Sequence, residues 1–476
     1  MARHKHGVVV VGAGSGGYAA ARTVRDFGCD VAMIDRGPLG GLCILRGCMP
    51  SKALLASSDA LYDARKATAL GVLADRIDVD MPFIAARKRT LVKEFADYRI
   101  GGIEAFPLYS GTARFLSATE VAVGDDVVEG EQFVIATGSA IRPSSLPGLE
   151  ETGYVDSDAV LELERVPESA IVLGGGYTAC ELGQFLARMG AKTTMLVRSS
   201  HLLTETDDDV GLALTGYFRD EGISVVTGTS LVCAQRRGGA KAIEYTVGGE
   251  PREAVAEEIF YALGRTPDID GLDLERAGVA YDPRGGIEVD ATMRTSNPKI
   301  FAVGDVTGQY MLVHVAIYQG EVAARNACRS GYETADYRLT AAHTVFCDPQ
   351  IAVVGETEKS LRERGAEYHR GRYDFAEHGK AQCLGKTKGF VKMMTEPGTG
   401  RILGAAVIGP EASELIHEVI VAMHYNATAA EFMRIPHLHP TLAEIWTYPA
   451  EECAVQCGMR EPGDEQKELA TSVEVS

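Results

Sequence analysis

No apolar run in this sequence approaches the ~18 residues that a membrane-spanning helix needs. Positive charge is short as well: Lys and Arg total 47 against 66 Asp and Glu, a net charge of −19. The first shortage excludes a bilayer crossing by helix. The second sets net repulsion against phosphate backbones and anionic lipid, so neither nucleic acid nor membrane is an expected partner. Ten cysteines in 476 residues, mostly solitary within apolar stretches, are too few for the framework of a small secreted protein. No second cysteine pair or histidine cluster stands at ligand spacing, so no metal site is expected. Met1 to His6 is short, polar and basic, and Val8 already opens a fold motif. A removable secretory segment is therefore not expected, and the location is read as cytoplasmic.

At ~150 residues per domain the chain predicts about three domains. Two segments, starting near Val8 and Ile171, share one grammar: a β-branched apolar run, a glycine cluster, a helix-like stretch and another apolar run ending in a charge. That grammar belongs to parallel sheets wrapped by helices. From about Ala341 the pattern changes to "FCDPQIAVVG", "GFVKMM" and "ILGAAVIG", then the helical "ASELIHEVIVAMHY", as in an antiparallel α+β domain. The expected fold is α/β, with two Rossmann-like dinucleotide-binding domains and a C-terminal α+β domain. The first takes 1–145 with 275–340, the second 146–274 and the third 341–458. The polar end, 459–476, reads as a flexible tail.

Gly12-x-Gly14-x-x-Gly17 follows "GVVVV", and Asp35 ends the next apolar run where a carboxylate can accept from ribose hydroxyls. The glycines permit the tight turn, the approach of pyrophosphate to backbone and close helix–strand packing. Gly174-x-Gly176-x-x-Ala179 repeats the pattern but leads to Arg198. An arginine there reverses the carboxylate's preference, so NADP(H) is favoured and NAD(H) remains possible. Only His201 offers a second basic group nearby.

Between these units lies "GGLCILRGCMPSK". In a regular helix Cys43 and Cys48 would have Cα atoms roughly 8–9 Å apart on different faces, beyond disulfide reach. A bridge needs an irregular turn, for which Gly47 and Pro50 supply the means. Taken alone, the pair is equally readable as buried thiols.

Over nearly its whole length the sequence resembles the class I pyridine nucleotide-disulfide oxidoreductases, the group of dihydrolipoamide dehydrogenase, glutathione reductase and mercuric reductase. The motifs occur in order: the first glycine loop, "GCMPSK", "ATGS" (136–139), the second loop, "IFAVGDV" (300–306) and "HLHPTLAE" (437–444). The resemblance implies FAD at the first site, contacted by Gly41, Lys52, Thr137, Gly138, Gly304 and Asp305, with His314 and Ala316 on the segment facing the flavin pyrimidine. It implies nicotinamide at the second, with Tyr177 as a gate and Gly264 nearby. Lys52 and Glu181 match the family's ion pair beside the flavin. Cys43 and Cys48 become the redox disulfide, Cys48 nearest the flavin and Cys43 meeting substrate.

His439 matches the general base that serves Cys43, and Glu444 the carboxylate that orients it. His437 is the confounding alternative, and "HPTLAE" also fits a helix cap with Thr441 and Glu444 as partners. In the family this dyad reaches the disulfide of the other subunit, which implies a homodimer with 341–458 as the dimerisation domain. The third region looks most like dihydrolipoamide dehydrogenase, so a small dithiol/disulfide or lipoyl-type substrate is expected. The alternatives are an NADPH-dependent reductase of a low-molecular-weight disulfide or metal ion, and a redox-sensing flavoprotein. Leu42 and Leu45 make the surroundings of Cys43 more apolar than is usual, which raises a thiol's pKa. Trp446 and Tyr448 flank the dyad as entrance or packing residues. A relay through Cys453 and Cys457 is not expected, because the adjacent terminal cysteines of mercuric reductases are missing.

Overall fold

A computed structural model describes residues 2–74, 76–329 and 332–459; the expected tail beyond Met459 lies outside them. The apolar half of β1 (Arg3–Val11) is buried throughout, because a central parallel strand is covered on both faces. It pairs in parallel with β2 (Val31–Asp35) on one side, Val8 opposite Val31. On the other side lies β6 (Asp126–Ile135), Val8 opposite Gln132. With β3 (Leu108–Ser110), β4 (Ala113–Ser117) and β5 (Glu120–Val123) the order is β3-β2-β1-β6-β5-β4, and the strand Ile300–Ala302 adds in parallel to β6. The loop after β1 thus opens where neighbouring strands diverge, the place where such sheets bind ligands.

Helix α1 (Ser15–Asp26) crosses the helix Val313–Cys328 at glycine-only distance: a Cβ on Gly320 would lie 2.3 Å from the Gly16 carbonyl oxygen. After β2 come α2 (Leu42–Arg46), α3 (Cys48–Lys66) and α4 (Met81–Ile103).

The second region has four parallel strands, in the order Ser224–Val226, Lys192–Leu196, Ser169–Leu173, Glu258–Tyr261, beside a three-stranded antiparallel ribbon. The third has a five-stranded antiparallel sheet, with Gln350–Gly355 and Ile402–Gly409 inside. Ser139–Ile141 and Arg265–Pro267 pair antiparallel where the chain leaves the first region and returns. Ile269, Leu272 and Leu274, which the sequence reading assigned to the second domain, pack into the first core. The returning crossing is therefore earlier than residue 275.

Two buried cations lock the regions together. Lys392 Nζ lies 2.7 Å from Asp207, 2.7 Å from Asp209 and 3.1 Å from Glu358. Arg188 reaches Asp59 at 2.6 Å on α3, Glu221 at 2.5 Å and Asp348 at 2.6 Å. A buried charge needs such partners, and removing one leaves an uncompensated ion. Asp207, Asp209 and Glu358 are the one carboxylate cluster of metal-binding closeness among the described residues, and the Lys392 ammonium fills it.

Candidate active site

The first glycine loop is shaped by contacts only glycine allows. Gly12 has φ +103°, and a Cβ there would sit 2.3 Å from the Ala136 carbonyl oxygen; one on Gly17 would meet Gly12 O at 1.9 Å. Gly14 faces open space and caps α1 with neither a side-chain cap nor an acid in the first turn. That leaves unpaired N–H groups and the positive helix end pointing into an open cradle, which fits a dinucleotide pyrophosphate. Beside it a cleft of about 440 Å³ is lined by Asp35, Thr137 and Asp268 among others. Asp35 Oδ2 accepts from Ala13 N at 2.7 Å and Oδ1 from Gly37 N at 2.7 Å, so the carboxylate is fixed at the cleft wall with acceptor capacity left. Gly138 takes φ +79°, and Thr137 Oγ1 donates to Asp268 O at 2.7 Å.

Asp305 follows Gly304, itself at φ +76°. Burial pushes its carboxyl pKa up, and the hydrogen bond from Ser139 Oγ at 2.6 Å opposes that. Arg265 in turn donates to Ser139 Oγ and O at 2.9 and 2.8 Å. His314 and Ala316 lie in the first turn of Val313–Cys328, with His314 Nε2 2.9 Å from Ala342 O.

The chain enters the cysteine pair against the same loop, since a Cβ on Gly41 would lie 2.8 Å from Gly14 Cα. Gly47 interrupts what would be a single helix, with φ −137° and ψ −113°. α2 therefore ends and α3 restarts at Cys48, the irregular turn that the spacing demands. A side chain at Gly47 would press on Leu42 O and Cys43 Cα. The two thiols hydrogen-bond each other. Cys43 is pushed far above its ordinary pKa by that bond and by burial, while Cys48 is lowered to about 7 by the bond from Cys43 and by Lys52, against burial. One sulfur keeps its proton and the other is poised as thiolate.

Lys52, one turn along α3, pairs with Glu181 at 2.8 Å and sits 4.3 Å from the Phe346 ring centroid. Glu181, buried on the helix Tyr177–Met189, also accepts from Phe346 N at 2.9 Å.

The second loop repeats the first. Gly174 has φ +123°, with a hypothetical Cβ 2.5 Å from Ala262 O. Gly176 caps the helix Tyr177–Met189 without a side-chain cap or first-turn acid, and Ala179 is wholly buried. Gly264, at φ +103°, lies on the return path. Tyr177 stacks on His343 at 5.7 Å and 17°. Burial raises the tyrosine's pKa and lowers the histidine's. Arg198 is exposed and has no partner among the described residues. His201 is not available beside it: buried, it holds Leu202 O at 2.7 Å and Asp208 at 3.2 Å.

His439 and Glu444 do meet, Nδ1 to Oε2 at 3.0 Å, with the imidazole 81% exposed. Glu444 N donates to the Thr441 hydroxyl at 3.4 Å, so half of the cap also forms while the carboxylate goes to histidine. His437 is excluded as the free imidazole by its 2.8 Å pairing with Glu418. Trp446 is a core residue, fully buried and donating to Leu415 O at 3.0 Å. Tyr448 stacks on Tyr373 at 3.8 Å. Cys453 and Cys457 contact the backbone at Met393 and Glu396 rather than each other. Among the described residues no hydrogen bond or ion pair joins the dyad to Cys43.

The sequence reading missed Ser139 and Arg265 behind Asp305, Phe346 and His343 beside the second loop, Asp268 at the first, and His378 behind Glu444. Ser139 and Arg265 sit next to residues that were chosen; the others are brought in through space and carried no local signal.

The pyridine nucleotide-disulphide oxidoreductase family description matches residues 6–320, and its dimerisation domain matches 341–450. Dihydrolipoyl dehydrogenase of Chlamydia muridarum (strain MoPn / Nigg) is 34% identical over 93% of this chain and 95% of its own. Mercuric reductase of Streptomyces lividans is 35% identical over the same shares. Among solved structures, the Cu(II) complex of the HOCl-induced flavoprotein disulfide reductase RclA from Escherichia coli superposes with a TM-score of 0.84 at 25% identity. That match covers 94% of this chain and 99% of that one. Two glycine loops, a thiol pair and a dimerisation domain in this order place the chain in the pyridine nucleotide-disulphide oxidoreductase family, as a flavin-dependent oxidoreductase acting on sulfur.

Proposed function

We propose that the protein is a homodimeric FAD-dependent NAD(P)H:disulfide oxidoreductase of the dihydrolipoyl dehydrogenase kind. In this reading the first region, 1–145 with the segment that returns after Arg265–Pro267 and runs to 340, binds FAD, the second region between them binds nicotinamide, and 341–458 forms the dimer. The observation that carries it is the Cys43–Cys48 contact, with one thiol lowered to about 7, reached two residues after Gly41 closes on the first glycine loop. Bound FAD supplies the two-electron exchange between nicotinamide and sulfur. Gly12, Gly14 and Gly17 admit its pyrophosphate, Asp35 takes ribose hydroxyls, and Asp305 and Lys52 flank the flavin end. Cys48 is held as thiolate by Cys43 and Lys52, and Cys43 exchanges with the substrate disulfide.

Thiol exchange at Cys43 releases and takes up a proton, because its raised pKa keeps it protonated between turns. His439 carries that proton, with Glu444 fixing its tautomer and favouring the imidazolium. The dyad of one subunit serves the thiols of the other, which accounts for an imidazole left exposed in its own chain. The scattered thiols suit a reducing, cytoplasmic setting.

Arg198 favours a second nucleotide reading, NADP(H) over NAD(H), since it is exposed and unpaired where a 2′-phosphate would lie. It also supports the alternative of an NADPH-dependent reductase of a small disulfide or metal ion. Steady-state rates with dihydrolipoamide, glutathione disulfide and Hg²⁺, each with both nicotinamides, separate these. Dihydrolipoamide turnover is expected, and rates confined to the other two overturn the lipoyl assignment. Arg198→Glu should shift the nicotinamide preference about tenfold toward NAD(H) by charge reversal at the ribose; an unchanged ratio removes Arg198 from the site.

A further inference from the structure

Behind the dyad stands a side chain that no role above uses. His378, which precedes the short helix Gly379–Leu384, is 1% exposed, and neither ring nitrogen has a hydrogen-bond partner. Phe375 and Tyr448 stand T-shaped to it, with ring centroids at 6.5 and 6.3 Å. Burying two unpaired nitrogens costs stability that an apolar side chain in the same hole would not lose. Glu444 Oε1 lies 3.5 Å from Nε2, just outside bonding range. The other oxygen of that carboxylate is the one that holds His439.

We propose that His378 is a positioning residue for the proton-transferring base: its neutral imidazole donates from Nε2–H to Glu444 Oε1 and so aims Oε2 at His439. The idea rests on the reading of His439 as the base for Cys43. Two imidazoles share one carboxylate, and only one can carry the proton. Burial disfavours charge on His378 and the neighbouring His439 opposes it too, while Glu444 pulls the other way, with the net effect of lowering His378's pKa. Glu444 and His439 are the titratable groups acting on it, together with the Tyr448 ring from Thr447–Gln456. The inner imidazole is therefore the neutral donor of the pair. Without the inner donor, the carboxylate loses a contact that aims it, Oε2 holds the outer imidazole less well, and His439 binds its proton more weakly.

The test compares His378→Gln, whose side-chain amide reaches the same place and still donates, with His378→Leu and His378→Met, which fill the space and cannot. Holoenzyme is followed in two ways: the pH profile of NAD(P)H-driven lipoamide reduction, and the pH dependence of His439 carbethoxylation by diethyl pyrocarbonate, read by peptide mass. The apolar variants should lower the His439 midpoint by about one pH unit and kcat about tenfold, with KM within about twofold. His378→Gln should restore both to within about threefold of the parent. Identical behaviour of the amide and the apolar variants, or an unmoved His439 midpoint in a folded apolar variant, overturns the proposal. The carbethoxylation midpoint decides the matter even if lipoamide is not turned over. Undiminished turnover by His439→Gln would instead sink the base assignment itself.

Discussion

The thiol pair and the histidine–glutamate dyad are finished to different degrees by their own chain. Around Cys43 and Cys48 everything that sets reactivity is local: the break at Gly47, the mutual hydrogen bond, Lys52 one turn away and Glu181 behind it. The outcome is two sulfurs of the same kind with opposite protonation tendencies. Around His439 the chain supplies orientation through Glu444 but no enclosure. On the proposed reading, the contrast assigns electron transfer to sulfur to one subunit and proton transfer to two.

Removing a sulfur should break the first half outright. Cys48→Ser leaves flavin reduction by nicotinamide intact, because the second glycine loop and Tyr177 are untouched, yet lowers disulfide turnover by about 10³ or more, because Cys43 has no second sulfur with which to close the redox disulfide and release product. Anaerobic nicotinamide titration and steady-state assay check the two parts. Unchanged disulfide turnover refutes the assignment.

The second half breaks less completely. His439→Gln should lose about 10²–10⁴ in turnover, the usual worth of a positioned acid–base group. Mixing that variant with Cys48→Ser, then dissociating and reassociating the subunits, sharpens the comparison. Half the dimers become mixed, and each mixed dimer has one site with intact thiols and an intact imidazole. About a quarter of the parent activity should return if the base acts across the interface. No recovery, with mixed dimers demonstrated by mass, would place both halves in one subunit.

How much of this was legible without coordinates follows the same division. Glycine loops declare themselves because their constraints are backbone constraints between near neighbours: Gly12 against Gly17, Gly14 at the helix cap. The pairing of His439 with Glu444 is also local, a turn that brings residues five apart together. What stayed hidden comes from packing. His201 reads as a spare base beside Arg198 and is buried under its own loop. Trp446 reads equally as an entrance or a packing residue, and only its burial in the core decides for packing. Ser139, Arg265 and Asp305 form one network from three distant segments. The strand Arg265–Pro267 returns the chain early because its partner, Ser139–Ile141, lies across the sequence. Periodicity has no access to such partners.

The finest test concerns the tuning of Cys48 alone. Lys52 lowers its pKa and Glu181 raises it, so the two halves of one ion pair act on the thiolate with opposite sign. Lys52→Met should move the Cys48 midpoint up from about 7 by about one unit. At neutral pH the thiolate then becomes the minority form, and alkylation slows accordingly. Glu181→Gln should move it down by less, because it frees the ammonium's charge while the burial that opposes ionisation persists. Alkylation of the reduced enzyme as a function of pH, resolved by cysteine through peptide mass, gives both midpoints. If the two variants shift Cys48 in the same direction, the ion pair acts by holding α3 in place rather than by charge. In that case the hydrogen bond from Cys43 alone would have to separate the two sulfurs.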